Sequence, residues 1–240
     1  MKYKFRTNFV RFFIIVLASA GSFSTKAQQD TLFWFAAPEI STSVGDSPVH
    51  LRLLSYDLAA TVTISQPANA LFTPIVVSLS ANSNDSIDLT PFLAEIESPA
   101  ADVISVNGLK IASTAPITAF YELNAVGNKE IFTLKGQKGI GTEFYTPFQQ
   151  TWDNAVTTPA SFSSIDIVAT ENNTTVLITP RTTVVGHTGG VTYNILLQEG
   201  ETYSARDIDL SAVTSLSGSI VASDKPVAVT LFSGALDNVG

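Results

Sequence analysis

The chain has 240 residues, no cysteine and a formal net charge of −8. Without thiols it has no disulfide framework, no thiolate metal site and no cysteine nucleophile. Its acidic balance argues against nucleic acid as a partner, because a surface of this sign repels phosphate backbones.

Residues 1–27 read as a secretory signal peptide. Lys2, Lys4, Arg6 and Arg11 make a basic start, Phe12 to Ala20 a short apolar core, and Ala27 a small residue at the cut. The apolar run falls short of the roughly 20 residues that a membrane span needs. Cleavage removes five of the 13 basic residues, Lys26 included, and no acid, which leaves a net charge of −13. The mature chain is therefore expected to be secreted or at the cell surface, with no nucleic-acid partner and no insertion into a membrane. It is long enough to fold as one large or two small domains without staples.

Past the signal the predicted elements are short and extended. Asp30 to Ala36 is an aromatic strand in which Trp34 reads as core. Pro38 to Pro48 is loop, with a Gly45-Asp46 turn. Leu51 to Ser55 and Thr61 to Ser65 follow, the second alternating polar and apolar with the period of a half-buried strand. Pro67 to Asn69 turns the chain into Ile75 to Ser80, and Asn82 to Asp85 turns it again. Thr90 to Glu97 is the one helical signal, with Thr90 as its cap and Pro91 at the first helical position. Ile104 to Val106 and Leu109 to Ala112 read as strands on either side of an Asn107-Gly108 turn or bulge. Pro116 to Leu123 closes the first half. No later stretch has sustained helical periodicity.

The second half repeats the first. Leu51 to Ser65 lies over Ile165 to Thr179, Ile75 to Leu79 over Tyr193 to Leu197, and Gly108 to Thr118 over Gly218 to Ala228. Matched blocks in one order at nearly equal offsets argue a tandem duplication, and the shared Ala-Ser-x-x-Pro is not dictated by strand period. The expected fold is all-β: two tandem related β-sandwich-like units with short turns and at most one short helix. The expected boundaries are a first unit over 28–124, a connecting segment over 125–163 and a second unit over 164–240. The second unit stops soon after Phe232 without a closing element, so it reads as truncated.

Leu134 to Gln149 is expected to be the joint. It holds Gly136, Gly139 and Gly141, Lys135 and Lys138, then aromatics interrupted by Pro147. Phe144, Tyr145 and Phe148 read as pinning the two units together. The exposed parts of this stretch and of Thr170 to Thr175 are the candidate recognition surface: Lys135, Lys138, Glu143, Tyr145, Gln149, Glu171, Asn172 and Asn173.

Catalytic constellations are sparse. His50 and His187 stand apart, no Gly-x-Ser-x-Gly elbow occurs, and His187 reads as a turn residue. The glycine run of 135–141 lacks the Gly-Lys-Ser/Thr ending of a phosphate loop. Glu143, Asp153, Asp166 and Glu171 offer acids for glycoside hydrolysis only if two of them face a cleft. Asp57, Asp85 and Glu171 in turns read as solvated acids rather than calcium ligands. No metal or cofactor is expected, and no catalytic residue. Asp30-Thr31-Leu32 and Asp85-Ser86-Ile87 match a pattern for O-linked sugar, at Thr31 and Ser86.

Several motifs occur in a combination that points to one family. Phe33 to Ile40, Leu134-Lys-Gly with Gly141 to Gln149, Ile167 to Val176 and Gly218 to Thr230 together resemble the N-terminal domain of IgGFc-binding proteins. The resemblance runs from about Phe33 to Phe232. It implies a bacterial protein of the Bacteroidetes type, secreted or on the surface, and a β-rich module for recognition or adhesion whose ligand is an extracellular protein or a glycan. It transfers no catalytic residue. The expected function is thus a non-enzymatic binding module. A glycan-active hydrolase with an acid pair between the units, and a structural spacer in a larger surface protein, are the alternatives.

Overall fold

The computed structural model describes residues 28–40, 45–126 and 128–234; the expected signal peptide, 1–27, lies outside the described residues. The chain is all-β. Fourteen strands are β1 (Asp30–Phe35), β2 (Val49–Ser55), β3 (Ala60–Ser65), β4 (Ile75–Leu79), β5 (Asn84–Asp88), β6 (Ile104–Ser105), β7 (Leu109–Ala125), β8 (Asn128–Thr133), β9 (Ile140–Tyr145), β10 (Ser163–Ala169), β11 (Thr174–Thr179), β12 (Tyr193–Leu197), β13 (Thr202–Arg206) and β14 (Ile220–Ser233). The single α-helix among the described residues, the short α1 (Leu93–Ile96), follows a 3-10 turn over Thr90–Phe92. Pro91 begins that turn, but the Thr90 hydroxyl does not cap it. It accepts the Val49 N–H at 3.0 Å instead, which ties the helix to β2.

The strands form two seven-stranded sheets, each organised on one long strand. In the first, the opening part of β7 pairs with β1 and β3, and its closing part with β2 and β8. In the second, β14 pairs with β9 and β11 early and with β10 late. A long strand with different neighbours at its two ends folds each sheet over on itself, giving two sandwich-like units.

The duplication read in the sequence is a duplication of register. Leu51 lies opposite Tyr121 and Ile165 opposite Leu231. Val62 lies opposite Ser113 and Val176 opposite Ser223. Ala60 and Leu79 pair as Thr174 and Leu197 do. The repeat also extends further back than the sequence blocks: Phe33 on β1 faces Ile111, and Phe144 on β9 faces Val221. Each long strand carries an irregularity at the same place, after Ala112 and after Ala222. There the Ser113 hydroxyl donates to the Ala115 carbonyl and the Ser223 hydroxyl to the Lys225 carbonyl, both at 2.7 Å. This gives the shared Ser-x-x-Pro a physical role, since the hydroxyl takes up a carbonyl that the ladder drops at the bulge.

Some local readings differ, and one of them is that β5 starts at Asn84, inside the stretch expected to turn. Ile104 and Val106 do not form a hairpin with Leu109: β6 crosses to the second sheet and pairs with β13. The buried Asn107 marks the crossing and donates to the Glu97 carbonyl at 2.7 Å. Within 125–163, β8 belongs to the first sheet and β9 to the second.

The cores follow the pleat. The first contains Phe33, Leu51, Leu53, Ile64, Ile111 and Tyr121, and the second Ile165, Ile167, Val176, Ile178, Tyr203 and Val221. Each such side chain, fully buried, contributes about 1.5–3 kcal/mol relative to exposure. No helix among the described residues is long and apolar enough to cross a membrane.

Candidate recognition site

The two units meet on the outer face of β1. Trp34 and Ala36 point away from the first core and pack with Val168 and Ala228, flanked by Leu32 and Ile140. Trp34 is a buried seam residue, and Lys110 lies 4.9 Å above its ring while reaching Glu199 at 2.8 Å. Gly108 allows a backbone contact here, since its N–H donates to the Gly200 carbonyl at 3.1 Å. A Cβ at Gly108 would come within 2.5 Å of both that oxygen and Val168. The aromatics of the joint do not pin the units together. Phe144 and Phe148 pack on the second core, and Tyr145 is 66% exposed. Their positions follow from the strand period of β9, which turns Phe144 inward and Tyr145 outward.

Beside the seam lies a groove of about 390 Å³. β8 and the turn over Gly136–Gly139 form one wall, the edge of β14 the other, and Trp34 and Ile140 part of the lining. Asp30 fixes the turn: its carboxylate accepts from the Gln137 N–H at 2.8 Å and from the Gln137 side chain at 3.0 Å. Partial burial works against that carboxylate, but the bonds from Gln137 and Thr31 outweigh it and hold its pKa below the usual value. Gly136 sits against Asp30 with φ of 63°, a conformation that glycine adopts without a Cβ penalty.

The nominated residues fall into separate places. Lys135 lines the groove, and Lys138 is exposed on the same turn. Glu143 and Tyr145 lie on the outer face of β9, where the Tyr145 hydroxyl donates to Glu143 at 3.0 Å. Gln149 is exposed beyond them. Glu171, Asn172 and Asn173 form the exposed β10–β11 turn, with Asn173 at φ of 55°. That turn lies on the far side of the β14 bulge from Glu143, because β9 and β11 flank opposite edges of β14. Lys225 holds it by donating to the Asn172 carbonyl. Of the sugar-pattern residues, Ser86 is exposed on β5 and Thr31 is half-buried on β1.

The nominated acids do not converge on a cleft. Asp153 accepts from the Ala212 N–H at 2.8 Å on a turn, and Asp166 is fully buried on β10. A buried polar cluster surrounds Asp166. The Ser164 hydroxyl donates to it at 2.5 Å, and Arg206 lies nearby, stacked 4.2 Å over Phe162 and donating to the Ser98 carbonyl. Burial pushes Asp166 up to about 6 against the hydrogen bonds of Ser164 and Ser204. Glu97 is pushed up to about 8, mainly by burial and then by the Glu39 carboxylate. The Tyr121 hydroxyl reaches Glu97 at 3.4 Å. The sequence reading missed this cluster, and its one signal was an acid inside the strand Ile165 to Ala169. His187 stacks on Tyr193 at 3.4 Å and lies 2.9 Å from Asp102, which also accepts from Tyr203 at 2.7 Å. That network braces the loop carrying β6 against the second sheet. Among the described residues no group of histidine and carboxylate side chains is placed to hold a metal ion.

Residues 130–238 match the family model of the IgGFc binding protein. The stretch matched to the IgGFc-binding model begins in β8, contains the groove turn and β9, and takes in every strand of the second sheet except β6. The groove walls therefore belong almost wholly to the IgGFc-binding match, and β1 contributes the floor from outside it. Neither the comparison with curated proteins nor that with solved structures returned a match.

Proposed function

We propose that the protein is an exported, non-enzymatic binding module that recognises an extracellular protein, with the groove between β8 and β14 as its site. The observation that carries this reading is the coincidence of the groove with the stretch matched to the IgGFc-binding family. Its lining suits a polypeptide ligand. Apolar Trp34, Ile131, Ile140 and Leu231 supply buried area, and Lys135 supplies one charge at the rim. Export rests on the basic and apolar start of the chain, and places the ligand outside the cell.

A panel of extracellular proteins, antibody Fc among them, and of glycans tests the proposal on the immobilised full chain. A protein ligand is expected, weakened at least tenfold by Ile131→Asp and by Lys135→Glu with no change in melting temperature. Capture of glycans alone, or a protein ligand indifferent to both substitutions, would contradict it. Capture of nothing would favour the spacer reading.

A further inference from the structure

The repeat maps the seam residues of one unit onto named residues of the other. Phe33 opposite Ile111 corresponds to Phe144 opposite Val221, so Trp34 opposite Lys110 corresponds to Tyr145 opposite Ile220. Both aromatics point away from their own core, because strand period turns Phe33 and Phe144 into it. Trp34 is the knob of the seam, buried under Val168 and Ala228 of the second unit. Tyr145 is the same knob on the second unit, and it is 66% exposed. It stands beside the start of β14, the end remote from Ser233.

The socket has a counterpart too. Val168 lies opposite Ala228, and the equivalent pair in the first unit is Leu54 opposite Thr118. Leu54 is half-buried, and the hydroxyl of the half-buried Tyr56 lies 2.7 Å from that of Thr118. Leu79 and Leu197 are equivalent, so Ala81 and Asn82 after β4 correspond to Glu199 and Gly200 after β12. Asn82, at φ of 54°, and Gly200, at φ of 83°, share the left-handed backbone, which supports that alignment. Ala81 and Asn82 are exposed. The first unit thus carries, partly open to solvent, the counterpart of the surface that the second unit applies to Trp34.

The two open surfaces differ from the seam in matching ways. At the seam Lys110, above Trp34, reaches Glu199 at 2.8 Å. On the open knob Ile220 stands in place of the lysine, and on the open socket Ala81 stands in place of the glutamate. An ion pair has become two apolar side chains, one on each surface. We propose that Tyr145 and Ile220 of one copy of this chain dock against Leu54, Tyr56 and Ala81 of the next copy, in the geometry by which Trp34 docks on Val168 and Ala228. The contact joins unlike surfaces, so it leaves a knob free at one end and a socket at the other, and it propagates head to tail. Exported copies of net charge −13 repel one another, but salt screens that repulsion and leaves the apolar contact. The surface is separate from the groove and does not depend on its ligand.

Sedimentation velocity on the exported chain, over a dilution series at low and high salt, tests the proposal. Association that continues past the dimer with concentration, and strengthens with salt, is expected. Tyr145→Asp should weaken it about tenfold or more without lowering the melting temperature, because the ring is exposed. Two further variants move the ion pair of the seam onto the new contact. Ile220→Lys and Ala81→Glu should each weaken association about tenfold or more. The double variant should recover it, and so should an equimolar mixture of the two single variants, in which every knob meets a matched socket. A monomer at all concentrations, saturation at a dimer, indifference to Tyr145→Asp, or no recovery on mixing overturns the proposal.

Discussion

Tyr121 and Leu231 occupy equivalent positions, opposite Leu51 and Ile165, and only Tyr121 is covered. The difference sets the cost of truncation. Leu51→Ala, in the closed core, should destabilise the protein by about 2–5 kcal/mol. Leu231→Ala removes a side chain that still meets solvent and should cost about 1 kcal/mol. Urea melts of the two variants compare them directly.

The hydroxyls at the two bulges should behave as a matched pair. Ser113→Ala and Ser223→Ala each delete one hydrogen bond to a local carbonyl and should each cost about 0.5–1.5 kcal/mol. The bulges lie in different units, so the double variant should show the sum. A cost at one site alone would mean that the turns are not equivalent.

Duplication was readable in the sequence because strand blocks and the Ser-x-x-Pro turns recur in order. Its first strand escaped notice because Phe33-Trp34 and Phe144-Tyr145 share little beyond two aromatics, and the glycines before Phe144 suggested a linker. The crossing of β6 was unreadable for another reason: Ile104 and Ser105 are too few to carry a period, and their partner Tyr203 is about a hundred residues away. The groove is lined by β8 and β14, which stand about a hundred residues apart in the chain, so local sequence carries no mark of it. Of the nominated recognition residues only Lys135 lines it, since strand period turns Glu143 and Tyr145 elsewhere.

Buried acids should make the protein less stable as pH rises. Glu97, up to about 8, and Asp166 and Asp207, each up to about 6, all hold a proton more tightly folded than unfolded, chiefly through burial. Their stabilisation is complete below the unfolded values near 4 and is lost on the way up, by about pH 6 for the aspartates and about pH 8 for Glu97. Asp30 and Asp88, with lowered values, act oppositely and only in acid. The urea midpoint should therefore be lower at pH 8 than at pH 5, and Glu97→Gln should shrink the difference. A wild-type midpoint that rises with pH would exclude this account.

The seam between the units should depend on Gly108. Gly108→Ala forces a methyl against the Gly200 carbonyl and Val168, an overpacking that costs typically about 1–3 kcal/mol. Limited proteolysis should then cut faster between the units, and Trp34 emission should shift to the red as the ring meets water. Unchanged emission would mean that the seam absorbs the methyl.

Native-state amide exchange on the ligand-free chain tests the central claim, that the second unit repeats the first and that, among the described residues, the edge of β14 beside the groove carries no partner strand. The amides of Ala119 and Tyr121, covered by β8, should exchange only through large-scale opening, whereas those of Val229 and Leu231 should exchange orders of magnitude faster from the folded state. Equal protection at the four positions would show that the edge of β14 is already filled, and would contradict the account.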